Sequence, residues 1–305
     1  MEIYLPVAEM SVNWLFIIAL GTGVGFLSGM FGVGGGFLMT PLLVFTGIPS
    51  TVAVATTLSH VTASSMSGAL AQWRKNAIDF TMAGVMLGGG VAGTLFGVWL
   101  FALMRRQGQM DLIVGLTYVL LLGSIGVIML RESLAALKTY RGGAAVSHRP
   151  VNRGWIQSLP LKMRFRQSRL YISVLPPIAI GFGVGTLSAI MGIGGGFIIV
   201  PAMIYLLRMP TKVVMGTSLV QIIAVTAITT VLQATSNYAV DIVLALLLVC
   251  GGVIGAQMGV RAGAKLRGEQ LRLLLALLVL VVAAGLAWQL VAPPFDVYSL
   301  SEGAP

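Results

Sequence analysis

One stretch of fifteen residues occurs twice. Gly23-Val-Gly-Phe-Leu-Ser-Gly-Met-Phe-Gly-Val-Gly-Gly-Gly-Phe37 is matched by Gly183-Val-Gly-Thr-Leu-Ser-Ala-Ile-Met-Gly-Ile-Gly-Gly-Gly-Phe197, with ten of fifteen positions identical at an offset of 160. The match continues through Pro41 and Pro201, Pro49 and Pro210, Thr56-Thr57-Leu58 and Thr217-Ser218-Leu219, Asn76 and Asn237, Asp79 and Asp241, Gly93 and Gly255, and Gly97 and Gly259. The chain therefore divides into two homologous repeats, 10–130 and 173–292, joined by a linker over 131–172. Whatever one half folds into, the other must fold into as well, and the two must pack together.

The solvent for that fold is lipid. Of 305 residues 57% are apolar and only 9% are charged, which excludes a water-soluble domain, where about 25% are charged. Each half reads as an apolar run ending in the glycine cluster (14–31; 173–190), a short run (37–47; 197–207), and three longer ones. The longer runs are 51–72, 79–104 and 110–130 in the first half, and 213–235, 241–261 and 271–291 in the second. A hydrocarbon core of about 30 Å needs about 20 helical residues. The short runs reach only about 16 Å at 1.5 Å per residue and are expected to be half-helices or re-entrant arms. The expected fold is an all-α, polytopic integral membrane protein of two repeats with about five helical segments each.

If the chain turns back at each glycine cluster, each half crosses an odd number of times and the halves insert in opposite orientations, as in many secondary transporters. Basic residues support this parity. Starting outside, it places Arg74, Lys75, the linker, Arg208, Lys212 and the Arg261, Lys265, Arg267, Arg272 loop inside, with Arg105 and Arg106 as exceptions. The formal charge of +10 then reports orientation and not nucleic acid, since nine of the nineteen Lys and Arg lie between Arg131 and Arg169. The linker, a basic cytoplasmic one on this topology, has two readings: a solvated loop that sets topology, or a segment on anionic lipid through Trp155, Lys162, Arg164, Phe165, Arg166 and Arg169. The acidic start (Glu2, Glu9) and the tail (Asp296, Glu302) place both termini on the non-cytoplasmic side, without a signal peptide. Cys250 stands alone, so neither an intrachain disulfide nor a thiolate metal site is expected, and no cofactor or metal is implied.

Chemistry concentrates at the repeat. Gly34, Gly35 and Gly36 run straight into Phe37, and Gly194, Gly195 and Gly196 into Phe197, so a helix start with free N–H groups and a positive dipole end falls at each. Such an end binds an anion without a charged side chain, and bare backbone lets an oxyanion approach closely. The alternative is that the glycines only permit a tight turn and close packing. On the following helix Thr57, His60, Ser64 and Gln72 share one side, answered by Ser218, Gln221, Thr229 and Gln233; this stripe either lines a pathway or bonds between helices. Thr57, His60, Ser218 and Gln221 are the candidates for substrate contact. His60 is the only ionisable group deep in a predicted span, but its mate Gln221 cannot titrate, so a symmetric proton relay is not supported. Asp79 and Asp241 open equivalent helices and are read as caps.

Gly-x-Gly-Gly-Gly-Phe followed by Pro, given twice, with Asn76-Ala-Ile-Asp79 and Asn237-Tyr-Ala-Val-Asp241, resembles the TauE/SafE sulfite exporter family, also called the toluene sulfonate uptake permeases. The resemblance implies a bacterial inner-membrane secondary carrier of small anions, often sulfur-containing (sulfite, sulfonates, sulfoacetate), coupled to a proton or sodium gradient. The expected partners are the anion and membrane lipid. An anion channel or a non-transporting membrane subunit is the competing reading; an intramembrane enzyme lacks His-Glu-x-x-His or paired acids in the spans.

Overall fold

A computed structural model describes residues 2–31, 33–74, 78–107, 110–141, 160–165, 167–168, 170–207, 209–263 and 268–291. In the first half, β1 (Glu2–Leu5) and β2 (Met10–Asn13) precede α1 (Trp14–Phe31), α2 (Gly36–Phe45), α3 (Ser50–Trp73), α4 (Phe80–Arg106) and α5 (Met110–Arg141). In the second, β3 (Lys162–Phe165) and β4 (Leu170–Ser173) precede α6 (Leu175–Met191), α7 (Gly196–Tyr205), α8 (Thr211–Leu232), a π-helical turn (Gln233–Asn237), α9 (Ile242–Gly263) and α10 (Gly268–Val291). The helices follow the apolar runs. α2 and α7 have 10 residues each, as half-helices require.

Six segments are long and apolar enough to cross a membrane, in α1, α4, α5, α8 with its π turn, α9 and α10. α3 has 24 residues yet does not qualify, because Thr56, Thr57, His60, Ser64 and Ser65 dilute its hydropathy. Those five side chains are all buried. A helix this polar belongs inside the protein, away from lipid, and α3 lies against α8 and α9. The outer surface inverts the soluble rule. Leu15, Phe16, Leu95, Trp99, Leu120, Leu246, Ile254, Leu277, Val281 and Trp288 are all exposed. Apolar residues on the outside are what a bilayer solvent selects.

The packing between halves is reciprocal. α1 lies along α9 and its repeat mate α6 along α4; α3 packs on α9 and α8 on α4; α3 also packs on its own mate α8, and α5 on α10. Exchanging the halves maps this set onto itself. Much of the glycine excess serves the two outer pairs. Side chains at Gly25 or Gly29 would collide with the backbone of Gly252 or Ala256, and at Gly255 or Gly259 with that of Thr22 or Phe26. Gly89 and Gly93 stand in the same relation to Ile178 and Phe182, and Gly181 and Gly185 to Met86 and Gly90. Four-residue spacing keeps these small residues on one face, so that backbones approach closely where lipid supplies no hydrophobic drive.

Two antiparallel hairpins join this helical framework, a feature the helical reading did not anticipate. Glu2 pairs with Asn13 and Leu5 with Met10, and 160 residues later Lys162 pairs with Ser173 and Phe165 with Leu170. Leu5 and Phe165 occupy equivalent positions and both are fully buried. The second hairpin, all but Ser173, lies within the stretch assigned to the linker. Residues 142–159, the greater part of the remaining linker, lie outside the described residues.

Candidate functional site

The two glycine turns meet. Gly34 and Gly35 have φ of 89° and 63°, and Gly194 and Gly195 have φ of 73° and 74°, a left-handed pair that residues with a Cβ rarely adopt. Gly35 lies against Val24 and Ser28, and Gly195 against Val184, so in each half the chain doubles back on the end of the preceding helix. The helix then restarts with Gly35 or Gly195 as its cap, and neither provides a side-chain capping bond. In the first turns Leu38 N and Ile198 N donate to the Gly35 and Gly195 carbonyls, each at 3.1 Å, and Gly36 N to the Gly34 carbonyl at 2.7 Å. The N–H groups of Phe37, Gly196 and Phe197 are the ones a helix start leaves without an intrahelical acceptor, and both dipoles present their positive ends here. A Cβ on Gly36 would strike the Ile193 carbonyl and one on Gly196 the Val33 carbonyl, so each turn is seated in the other. Beyond them Phe37 and Phe197 stack, with centroids 5.2 Å apart and planes 23° from parallel. All eight residues from Gly34 to Phe37 and from Gly194 to Phe197 are buried.

α3 and α8 pass over this junction. Val61 touches Gly34, Gly36 and Gly194, and Ile222 touches Gly34 and Gly196. One turn further on, Ser65 lies beside Gly34 and its mate Thr226 beside Gly194. Thr226 shares a 2.7 Å bond with Thr62. Ser65 has no partner among the described residues, and neither do the buried hydroxyls of Thr57 and Ser188. Thr57 lies between Val54, which borders Gly192, and Val61 on α3; Ser188 lies in the last turn of α6. A buried hydroxyl without a partner is costly, and native structures usually satisfy it with water or ligand.

The expected stripe splits into two arcs. Thr57 shares the turn-facing arc, whereas His60 points at α9, its Nε2 against Gly252 and the Gly21 backbone beside the ring, with neither ring nitrogen making a bond of ordinary geometry. Gln221 repeats that placement on α4: its Nε2 borders Gly90 and donates to the Met86 carbonyl at 3.4 Å, and its Oε1 has no partner. Ser218 is buried and bonds within its own helix to the Met215 carbonyl. Gln233 donates to the Ala189 carbonyl at 3.0 Å, tying the π turn to the end of α6. The glycines and phenylalanines thus come together, with Thr57 one turn before Val61 on α3, while His60 and Gln221 sit at helix interfaces. Ser65 and Thr226 went unread because a single averaged stripe does not separate adjoining arcs of one helix.

Asp79 and Asp241 cap their helices and also bind across the halves. Asp79 Oδ1 accepts from Met82 N, its Oδ2 accepts from Ser168 N and Oγ, and its own N–H donates to Thr217 Oγ1 at 3.0 Å. Asp241 Oδ1 accepts from Val243 N and Leu244 N, its Oδ2 from Val7 N, and its N–H donates to Thr56 Oγ1 at 3.1 Å. Each carboxylate anchors the other half's hairpin.

Matched halves meeting at paired broken helices define a polytopic helical membrane protein. The chain belongs to the TauE/SafE family: residues 17–286 match the family described as sulfite exporter TauE/SafE. It is 30% identical over 285 residues to a "Probable membrane transporter protein" of Xylella fastidiosa, covering 90% of this chain and 95% of that one. It is 28% identical over 268 residues to the "Probable membrane transporter protein YjnA" of Bacillus subtilis, covering 87% and 96%. A second Bacillus subtilis relative, "Probable membrane transporter protein YunE", is 22% identical over 286 residues, covering 91% and 98%. No solved structure matches.

Proposed function

We propose that this membrane transporter is a secondary active carrier of small anions, foremost sulfur oxyanions and organosulfonates such as sulfite or sulfoacetate, and that the cargo binds where the two glycine turns meet. The observation that carries this reading is the junction itself: two helix starts with glycine caps, pressed together, with the unpartnered Ser65 hydroxyl beside Gly34 and that of Thr57 on the same α3 face. Among the described residues, none of the nearest groups to these glycines is a carboxylate. Backbone and hydroxyl donors suit an anion's oxygens and leave the site without a fixed charge.

A carrier fits better than a channel because the turns interlock. Passage requires the halves to part, which is alternating access and not an open pore. The reading takes the halves to be oppositely oriented in a bacterial inner membrane with periplasmic termini, an orientation that rests on the distribution of basic residues. Arg105, an exception to the charge pattern, bonds the Asn237 carbonyl at the end of the π turn, so its position has a local cause.

Purified protein in liposomes tests the reading with sulfite, sulfate, thiosulfate, sulfoacetate and a carboxylate, each with and without a proton or sodium gradient. Uptake that follows one of the gradients is expected. Folded protein that moves no anion under any gradient removes the carrier reading; flux indifferent to every gradient turns it into a channel.

A further inference from the structure

The two glycine turns share a backbone path but not a set of bonds. In the first, Gly36 N donates to the Gly34 carbonyl at 2.7 Å; in the second, Gly196 N makes no such bond among the described residues. The first turn therefore offers the Phe37 N–H, and the second those of Gly196 and Phe197. A side chain restores the balance. Ser65 is 1% exposed, and its Oγ lies 3.3 Å from where a Cβ on Gly34 would stand. Among the described residues that hydroxyl has no partner.

The repeat explains why it is free. Its mate Thr226 shares a 2.7 Å bond with Thr62 and donates to the Ile222 carbonyl at 2.7 Å. Exchanging the halves turns the pair Thr62 and Thr226 into Ile223 and Ser65, and Ile223 has no hydroxyl. The junction thus collects three N–H donors and one O–H, on two helix starts of 10 residues each. It collects no charge. α1, α2 and α6 carry no titratable side chain, and α7 and α8 carry only Tyr205 and Lys212, in the last turn of one and the first turn of the other. The buried titratable groups among the described residues are His60, Tyr118, Asp79 and Asp241. His60 faces Gly252 on α9, the Tyr118 hydroxyl donates to the Met191 carbonyl, and the aspartates hold the hairpins.

The charge that such a junction balances can be counted. Each helix start is equivalent to about +0.5 of an elementary charge, so the two amount to about one. The cost of burying an ion rises with the square of its charge, about fourfold from one charge to two. We propose that the junction accepts an acid group only when that group bears a single negative charge, with the Ser65 hydroxyl donating to one of its oxygens. An organosulfonate then binds as it stands and sulfite only as hydrogen sulfite, while sulfate and thiosulfate are refused. The inference rests on the carrier reading for the place of the cargo. Ser65 is the specificity-determining side chain, because it supplies the donor that the first turn lacks once its Gly36 N–H is engaged.

The test is exchange of labelled anion across liposomes that hold the full chain, at equal pH on both sides so that no proton gradient acts. Above neutrality the half-saturating concentration of total sulfite is expected to rise about tenfold per pH unit, as the singly charged form thins out. That of methanesulfonate stays constant, and sulfate neither moves nor competes. The proposal is overturned if the value for sulfite ignores pH, if the values for both anions rise in step, or if sulfate moves as fast as methanesulfonate. In each of those cases the flux itself still upholds the carrier, whereas folded protein that exchanges no anion at any pH removes the carrier reading first. Ser65→Ala is expected to raise the half-saturating concentration of both anions about tenfold, with their contrast in pH response kept. Ile223→Thr, which gives Ser65 the kind of partner that Thr62 gives Thr226, is expected to act in the same direction with every donor still present. Unchanged values in both folded variants would take Ser65 out of the site.

Discussion

The first half and the second share their backbone devices and differ in their polar side chains. Left-handed glycine pairs, half-helices of 10 residues, capping aspartates and buried hairpin anchors Leu5 and Phe165 occur in both. By contrast the repeat mates differ at His60 and Gln221, at Ser65 and Thr226 and at Thr40 and Val200. What is duplicated holds two halves together and supplies the backbone donors, and what is not duplicated gives the molecule two unlike faces. A carrier needs both properties, because its cargo meets one site from two directions.

The largest expected effect comes from breaking the shared part. Gly36→Ala and Gly196→Ala each set a Cβ against the other turn's carbonyl, where rigid backbone cannot move aside. Each is expected to cost more than about 4 kcal/mol, read as lost monodisperse protein in detergent, with flux at background. Equal damage from both supports the shared junction; tolerance of either would separate the halves. Next are Asp79→Ala and Asp241→Ala, each losing a cap and the link to a hairpin, at about 2–4 kcal/mol in thermal unfolding. Asn at either position keeps the Oδ1 acceptor and is expected to recover part of the loss. A large effect at only one aspartate would show that the hairpins are not equivalent.

Smaller effects test the unlike part. His60→Gln makes the first half resemble the second, and His60 lies at an interface with Gly252 and not at the turns. Flux should change by less than about threefold, the worth of an interhelical bond of about 0.6 kcal/mol. Loss of pH-driven transport with the fold intact would give the histidine a coupling role. The smallest effect is expected at Gly23 and Gly183, where an added Cβ meets nothing within 4 Å. Alanine there should stabilise each helix by up to about 1 kcal/mol without altering flux.

The helix pattern and the two glycine turns were legible because each is local, and their pairing was legible only through the repeat. Apolar runs bounded by Gly and Pro set the helices, and Asp79 and Asp241 announce their caps by position. The hairpins were not legible: their strands are four residues each, and their anchors, Asp241 for Val7 and Asp79 for Ser168, lie 234 and 89 residues away. The polar stripe was half legible. At 100° per residue Thr57 and His60 differ by only 60°, yet one lies on the turn-facing arc and the other faces α9.

The central claim is that the cargo's acid group sits between the two glycine turns. It is tested most directly by diffraction from crystals soaked in selenite, with the anomalous signal of selenium locating the anion. The account predicts a peak within hydrogen-bonding distance of the N–H groups of Phe37, Gly196 and Phe197. A peak elsewhere in the membrane layer, with this junction empty in protein that transports the same anion, would contradict it.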